Sequence, residues 1–234
     1  MVRNFLSKRI APVALVGALA LIPVASAEAA LIAYICNDAV CSGGDDLQAI
    51  DNGVNDGNAL LGVVSLSTSF GGYELVINSS QSKPFLANGM DLNYTVTNQA
   101  ETGAGGAIWL FASDNNFFNG PTTAVGSLGG TNPTGVAATT TAYICDGNDN
   151  LVNFSPCSTN SFAGMGGFNF TLSRAVTANP YALTIGIGIS GVAIGDTATG
   201  NLRVNAVPDG GSTAMLLGSM LVAFGAFRRK FTGR

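Results

Sequence analysis

The chain has 234 residues, with 10 Lys and Arg against 14 Asp and Glu, no His, 31 Gly and 4 Cys. Charged residues make up only 10%, against about 25% in an average soluble domain. Without His there is no His-based triad, no His-Cys zinc site and no His-ligated haem, and a formal charge of −4 speaks against a nucleic-acid partner, which needs a basic surface.

The first 27 residues have the layout of a secretory signal peptide. Arg3, Lys8 and Arg9 are followed by a short apolar run from Ile10 to Pro23 and then by Ala25-Ser26-Ala27. Small residues at the −3 and −1 positions mark a signal-peptidase site. Ala25 and Ala27 are therefore the expected cleavage residues, with Ala29 as the alternative. The apolar run is shorter than the roughly 20 residues a membrane span requires.

From residue 28 to residue 207 the chain carries 13 acidic side chains against three cations, Lys83, Arg174 and Arg203. The whole-chain charge hides this imbalance, because the other cations sit in the two terminal segments. Ala33-Tyr34-Ile35-Cys36 opens this region and recurs as Ala142-Tyr143-Ile144-Cys145. Each copy runs into a polar, acidic loop that ends in a second cysteine, Cys41 or Cys157. Four cysteines in an exported chain are expected to be oxidised. Three connectivities are open. Cys36–Cys41 with Cys145–Cys157 lets each pair close its own loop, and the alternative joins Cys36 to Cys145 on neighbouring strands. The spacing does not fit the paired Cys-x-x-Cys of a zinc site.

The interior reads as strands between turns. Leu60 to Leu66 reads as a buried-strand run. Tyr73, Leu75 and Ile77, then Leu92, Tyr94 and Val96, alternate with polar neighbours, and Ala107 to Ala112 contains Trp109 and Phe111. Phe168, Phe170 and Leu172 alternate again, as do Leu183, Ile185, Ile187 and Ile189. Period two is the strand signal. Gly71-Gly72 and Gly129-Gly130 read as breaks between strands. Gly186 and Gly188, alternating on one strand, leave room for an aromatic ring or a second sheet to approach. No helical pattern appears between residues 30 and 205. The expected fold is all-β, a single antiparallel β-sandwich of jelly-roll type.

Few groups point to chemistry. Asp146-Gly147-Asn148-Asp149-Asn150 offers alternating oxygens, so Asp146, Asn148 and Asn150 are candidate calcium ligands. The EF-hand pattern fails, with Leu151 at its sixth position and Cys157 at its twelfth. The Asp45-Asp46 and Asp51–Asp56 loops are similar, and turns favour the same residues. Trp109, Phe117 and Phe118 could stack on a sugar, but Trp109 lies in an apolar run that reads as core. Asn78, Asn93 and Asn169 open glycosylation sequons, and Thr139-Thr140-Thr141 could carry O-linked sugar. No catalytic residue and no cofactor site is assigned.

The chain closes with Val207-Pro208-Asp209-Gly210-Gly211, then an apolar run to Phe227, then Arg228, Arg229, Lys230 and Arg234. An apolar segment with a basic end stops in the membrane with that end in the cytoplasm. The order of motif, apolar helix and Arg cluster resembles the PEP-CTERM sorting segment, with Val-Pro-Asp-Gly-Gly in place of the usual Val-Pro-Glu-Pro. The block from Asp91 to Phe118 is also similar to the β-rich interior of PEP-CTERM proteins. The resemblance implies processing by a membrane transpeptidase, an exosortase, of a Gram-negative cell. It further implies transient insertion in the inner membrane, loss of the tail, and delivery to the cell surface or extracellular matrix. Such proteins are linked to exopolysaccharide and biofilm, and many are glycosylated.

The expected organisation is a signal peptide at 1–27, a sandwich domain at 28–206 and a sorting segment at 207–234. The expected role is that of an exported, non-enzymatic structural or adhesive protein of the envelope or matrix, processed by signal peptidase and exosortase. The alternative is a module that binds extracellular polysaccharide, with calcium as a candidate cofactor. A hydrolase using loop carboxylates comes third.

Overall fold

The alternation of apolar and polar residues becomes twelve strands in a computed structural model, which describes residues 31–42, 46–83, 86, 88–100, 106–117, 122–147, 154, 157–208 and 217–221. The strands are β1 (Ile32–Cys36), β2 (Leu47–Ile50), β3 (Val63–Phe70), β4 (Tyr73–Gln81), β5 (Gly89–Asn98) and β6 (Ile108–Phe117). They continue as β7 (Thr122–Asn132), β8 (Ala138–Gly147), β9 (Cys157–Gly164), β10 (Gly166–Val176), β11 (Tyr181–Ser190) and β12 (Thr197–Pro208). All pairings are antiparallel. The residues expected to form a signal peptide, Ala25 and Ala27 among them, lie outside the described residues.

Two six-stranded sheets result. Sheet A has the order β2-β1-β6-β11-β8-β9 and sheet B the order β10-β7-β12-β5-β4-β3. The eight strands β5 to β12 are dealt between the sheets as in a jelly roll, with β5-β12-β7-β10 facing β6-β11-β8-β9. The short β1 and β2 extend sheet A past β6, and β4 and β3 extend sheet B past β5.

The alternating residues supply the core. Tyr73, Leu75 and Ile77 of β4, Leu92, Tyr94 and Val96 of β5, and Leu183, Ile185, Ile187 and Ile189 of β11 are buried in one cluster shared by both sheets. Gly71 and Gly72, at φ +57° and +83°, form the two-residue β3–β4 turn, as positive φ at both central positions of such a hairpin requires.

Three expectations need correction. Leu60 and Leu61 are exposed in the turn before β3, not buried in a strand. Gly129 and Gly130 lie inside β7 rather than between strands; a Cβ on Gly130 would come 2.4 Å from the carbonyl oxygen of Thr199 on β12, so glycine is there for close approach. And β12 runs on through Val207 and Pro208, with Thr122 Oγ1 donating to the Val207 carbonyl at 2.6 Å. The sandwich thus reaches two residues into the segment expected to begin at 207. Of the tail beyond, residues 217–221 are helical, and no helix among the described residues is long and apolar enough to cross a membrane. Asp209, Gly210 and Gly211 lie outside the described residues.

Candidate functional site

Residues directly opposite in an antiparallel sheet point to the same face. In sheet A this places Gln48, Tyr34, Phe111, Gly186, Tyr143 and Thr159 in one row across all six strands. The neighbours of these residues along β1, β6, β11 and β8, Ile35, Leu110, Ile185 and Ile144 among them, are core. The row therefore lies on the outer face. The next row carries Cys36, Trp109 and Gly188, and the row on the other side carries Ser113, Thr184, Cys145 and Cys157.

The two glycines make room for the rings. A Cβ on Gly186 would meet Phe111 Cδ1 at 2.0 Å, and one on Gly188 would meet Trp109 Nε1 at 2.6 Å and Tyr143 Cε2 at 3.3 Å. Phe111 is fully buried at the centre of the row. It packs edge-on to Tyr143 at 5.7 Å between ring centroids and against Phe154 at 4.7 Å, and Phe154 stands edge-on to Tyr34 at 6.0 Å. Tyr34, Trp109, Tyr143 and Phe154 are half-buried, so each keeps surface open to solvent. Trp109 Nε1 donates to the Tyr143 hydroxyl at 3.2 Å, and Gln48 Nε2 donates to the Tyr34 hydroxyl at 3.1 Å. Burial pushes the Tyr34 phenol above its ordinary range, with the Gln48 hydrogen bond opposing it. Among the described residues this surface is uncharged, aromatic and edged by hydroxyl and amide groups, and it can stack on a flat apolar ligand face while exchanging hydrogen bonds at its rim.

The structure pairs Cys36 with Cys41 and Cys145 with Cys157, with Cα atoms 5.1 and 4.2 Å apart. The two bridges stand at diagonally opposite corners of the aromatic row. The recurring Ala-Tyr-Ile-Cys segments explain this placement. They form β1 and β8, run antiparallel with β6 and β11 between them, and turn Tyr and Cys outward and Ile inward. That echo was the sequence signal for the site; it carries Tyr34 and Tyr143, which composition alone does not single out.

The residues singled out from the sequence are scattered. Trp109 is on the outer face rather than in the core, because β6 alternates and Leu110 takes the inward place. Phe117 is core, stacked on Tyr181 at 5.3 Å, and Phe118 lies outside the described residues. Asp146 forms an ion pair with Arg174 from the opposite sheet; Asn148 and Asn150 lie outside the described residues. Asp51 and Asp56 hold their own loop together. Asp51 Oδ2 accepts from the Gly62 N–H at 2.7 Å, and Asp56 Oδ1 accepts from the Asn58 and Ser65 N–H groups. Cys36, Cys41 and Asp46 come close enough to suggest a metal cluster, but both sulfurs are committed to a disulfide. Lys83 is buried, 3.6 Å from Asp114 and over the Phe117 ring. Asn78, Asn93 and Asn169 lie on strands of sheet B, where Asn78 Nδ2 donates to Asn93 Oδ1 at 2.9 Å. A groove of about 670 Å³ lies by β2, β3 and β4, apart from the aromatic row, lined by Leu47, Asp56, Ser65 and Asn78 among others.

Residues 206–231 match the VPDSG-CTERM motif. The chain carries a sorting motif of the PEP-CTERM kind. That motif implies an exported protein. No curated protein matches the chain. Among solved structures, the chain is similar to TmCBM61 in complex with β-1,4-galactotriose, at 11% identity and a TM-score of 0.34, over 62% of this chain and 87% of that one. It is similar to the family 11 carbohydrate-binding module from Clostridium thermocellum, at 12% identity and 0.31, over 66% and 95%. The enzymatically active domain of tailspike protein 4 from bacteriophage CBA120 matches at 13% identity and 0.33, over 62% of this chain and only 19% of that one. Scores this low carry no ligand or activity over to this chain.

Proposed function

We propose that this exported, sorting-motif protein is a carbohydrate-binding module that works at the cell surface or in the surrounding matrix. The observation that carries this reading is the outer face of sheet A: half-buried Trp109 and Tyr143 set at Gly188, with half-buried Tyr34 further along the Phe111 row and no charged side chain among them. Aromatic rings with one open side and a hydrogen-bonding rim suit pyranose rings, which offer an apolar face and equatorial hydroxyls. An adhesive role follows from binding of this kind, since a surface-held module tethers the cell to the polymer it recognises. In this reading residues 1–27 are removed by signal peptidase, and an exosortase acts on the segment from 207 after transient insertion of the tail in the inner membrane.

The test is affinity electrophoresis of the protein isolated from its producing cells, run through gels containing soluble polysaccharides, beside Trp109→Ala and Tyr143→Ala. At least one polysaccharide should retard the native protein. Each variant should lose roughly tenfold or more in affinity, or about 1.4 kcal/mol, with unchanged far-UV circular dichroism. Equal retardation of native protein and both variants would place binding elsewhere and end this reading.

A further inference from the structure

We infer that the aromatic row takes a neutral, linear glycan laid across the strands and turns away polymers bearing carboxylate or sulfate. This rests on the carbohydrate reading above and names the class of sugar.

The direction follows from register. The row runs along the hydrogen-bonding direction of the sheet, where strands repeat every 4.7–4.9 Å, so Tyr34 and Tyr143, three strands apart, are separated by about 14 Å, a length that about three pyranose units cover. Phe154, packed on Phe111 and beside Tyr34, keeps an aromatic surface over the middle of this line. Travel along the strands instead meets Cys36–Cys41 at one corner and Cys145–Cys157 at the other. The row ends on uncharged side chains, Gln48 at one end and Thr159 at the other.

The selectivity follows from charge. Recognition of a carboxylate or sulfate calls for Arg or Lys, above all the bidentate Arg fork. Only three cations stand between residues 28 and 207, and none reaches the row. Lys83 is buried beside Asp114. Arg174 pairs with Asp146. Arg203 is on β12 of the other sheet, directly opposite Asp91. With 13 acidic side chains in the same span, the field around the domain repels an anionic polymer before contact.

The experiment uses the protein isolated from its producing cells, with calcium chelated. Soluble neutral β-glucan and galactan are compared with polygalacturonate by affinity electrophoresis and calorimetry. Salt is raised from about 0.1 M to about 1 M, which shortens the Debye length from about 10 Å to about 3 Å. The expected result is binding to a neutral polymer that changes less than about twofold with salt, and no binding to polygalacturonate. Charge-dominated binding would weaken far more over that range. Trp109→Phe should keep much of the neutral binding and Trp109→Ala should abolish it. Trp109-dependent binding to polygalacturonate equal to or tighter than to the neutral polymers overturns the inference while sparing the carbohydrate reading. Absence of binding to either class overturns both.

Discussion

Gly186 and Phe111 are register partners on β11 and β6, and the Phe111 ring fills the place that a side chain at 186 would take: an added Cβ would lie 2.0 Å from Cδ1 and 2.3 Å from Cε1. Phe111 has little room to retreat, with Tyr143 on one side and Phe154 on another. Gly186→Ala should therefore cost about 1–3 kcal/mol, the range for overpacking, or several degrees in melting temperature for a domain of this size. Gly188→Ala meets the Trp109 indole at 2.6 Å, but that ring is half-open and can swing outward. This variant should lose less stability than Gly186→Ala and more affinity for glycan. The ordering is checked by urea titration and affinity electrophoresis on the same samples. The reverse order in both would show that the glycines do not set the rings.

The two disulfides close loops of different length, with sequence separations of 5 and 12. On the loop-entropy estimate, the shorter contributes about 2 kcal/mol and the longer about 3 kcal/mol. Cys145→Ser with Cys157→Ser should thus destabilise more than Cys36→Ser with Cys41→Ser. Phe154 lies within the longer loop and packs on Phe111, so the first pair should also lose near-UV circular dichroism from the aromatic row. Equal unfolding midpoints and spectra for the two double variants would contradict this.

Lys83 and Asp114 form a buried ion pair at 3.6 Å, with Ser82 Oγ donating to the same carboxylate and the ammonium also donating to the carbonyls of Asn115 and Asn116. Removing one member leaves a charge uncompensated, which costs about 3–5 kcal/mol, whereas replacing both with apolar residues is often near neutral. Lys83→Met should be severely destabilised, and Lys83→Met with Asp114→Leu should recover a large part of the loss. Urea unfolding of the single and double variants measures this. Equal stability of the two would show that the ion pair is not coupled.

The fold was legible wherever one face of a strand is apolar. β4, β5, β10 and β11 announce themselves by period two, and Gly71-Gly72 marks its hairpin correctly. β7 is hidden because close approach between strands replaces side chains with glycine, as at Gly130 beside the Thr199 carbonyl, and glycine in a string reads as a break; β12 shows period two only over Leu202, Val204 and Ala206, a short stretch next to the tail motif. Trp109 faces outward from a run that reads as core. In Ile108-Trp109-Leu110-Phe111 both faces are apolar, since one packs the core and the other the outer row, and a doubly apolar strand gives no sign of which ring faces out. The glycines at 186 and 188 leave room for an aromatic ring or a second sheet, and rings take it; which rings these are depends on register across β6, β11 and β8, and register is a property of the assembled sheet.

Asp51 and Asp91 are two carboxyls that burial holds above their ordinary range, and stability should respond to acid accordingly. Burial holds the Asp51 carboxyl above its ordinary range, with Asp56 and Asp114 adding repulsion and the Gly62 N–H opposing. Burial likewise raises Asp91, against the Asn201 hydrogen bond and the charge of Arg203. A carboxyl whose folded pKa is raised binds its proton more tightly in the native state than in the unfolded chain. Its contribution to stability is then fully present below the unfolded pKa of about 3.9 and is lost as pH rises through the folded value. Asp38 works the other way, lowered first by the Ser42 hydroxyl and then by the Val40 N–H, but it is exposed and solvent screens it. The native domain should therefore gain stability as pH falls from neutral into the carboxylate range, helped by relief of its excess negative charge. Asp51→Asn keeps an oxygen for the Gly62 N–H and removes the titration, so it should be more stable than the native protein at pH 7 and should gain less on acidification. Urea unfolding at a series of pH values decides the matter. A native curve that falls steadily from neutral pH downward, in parallel with that of Asp51→Asn, would assign the acid response to other groups.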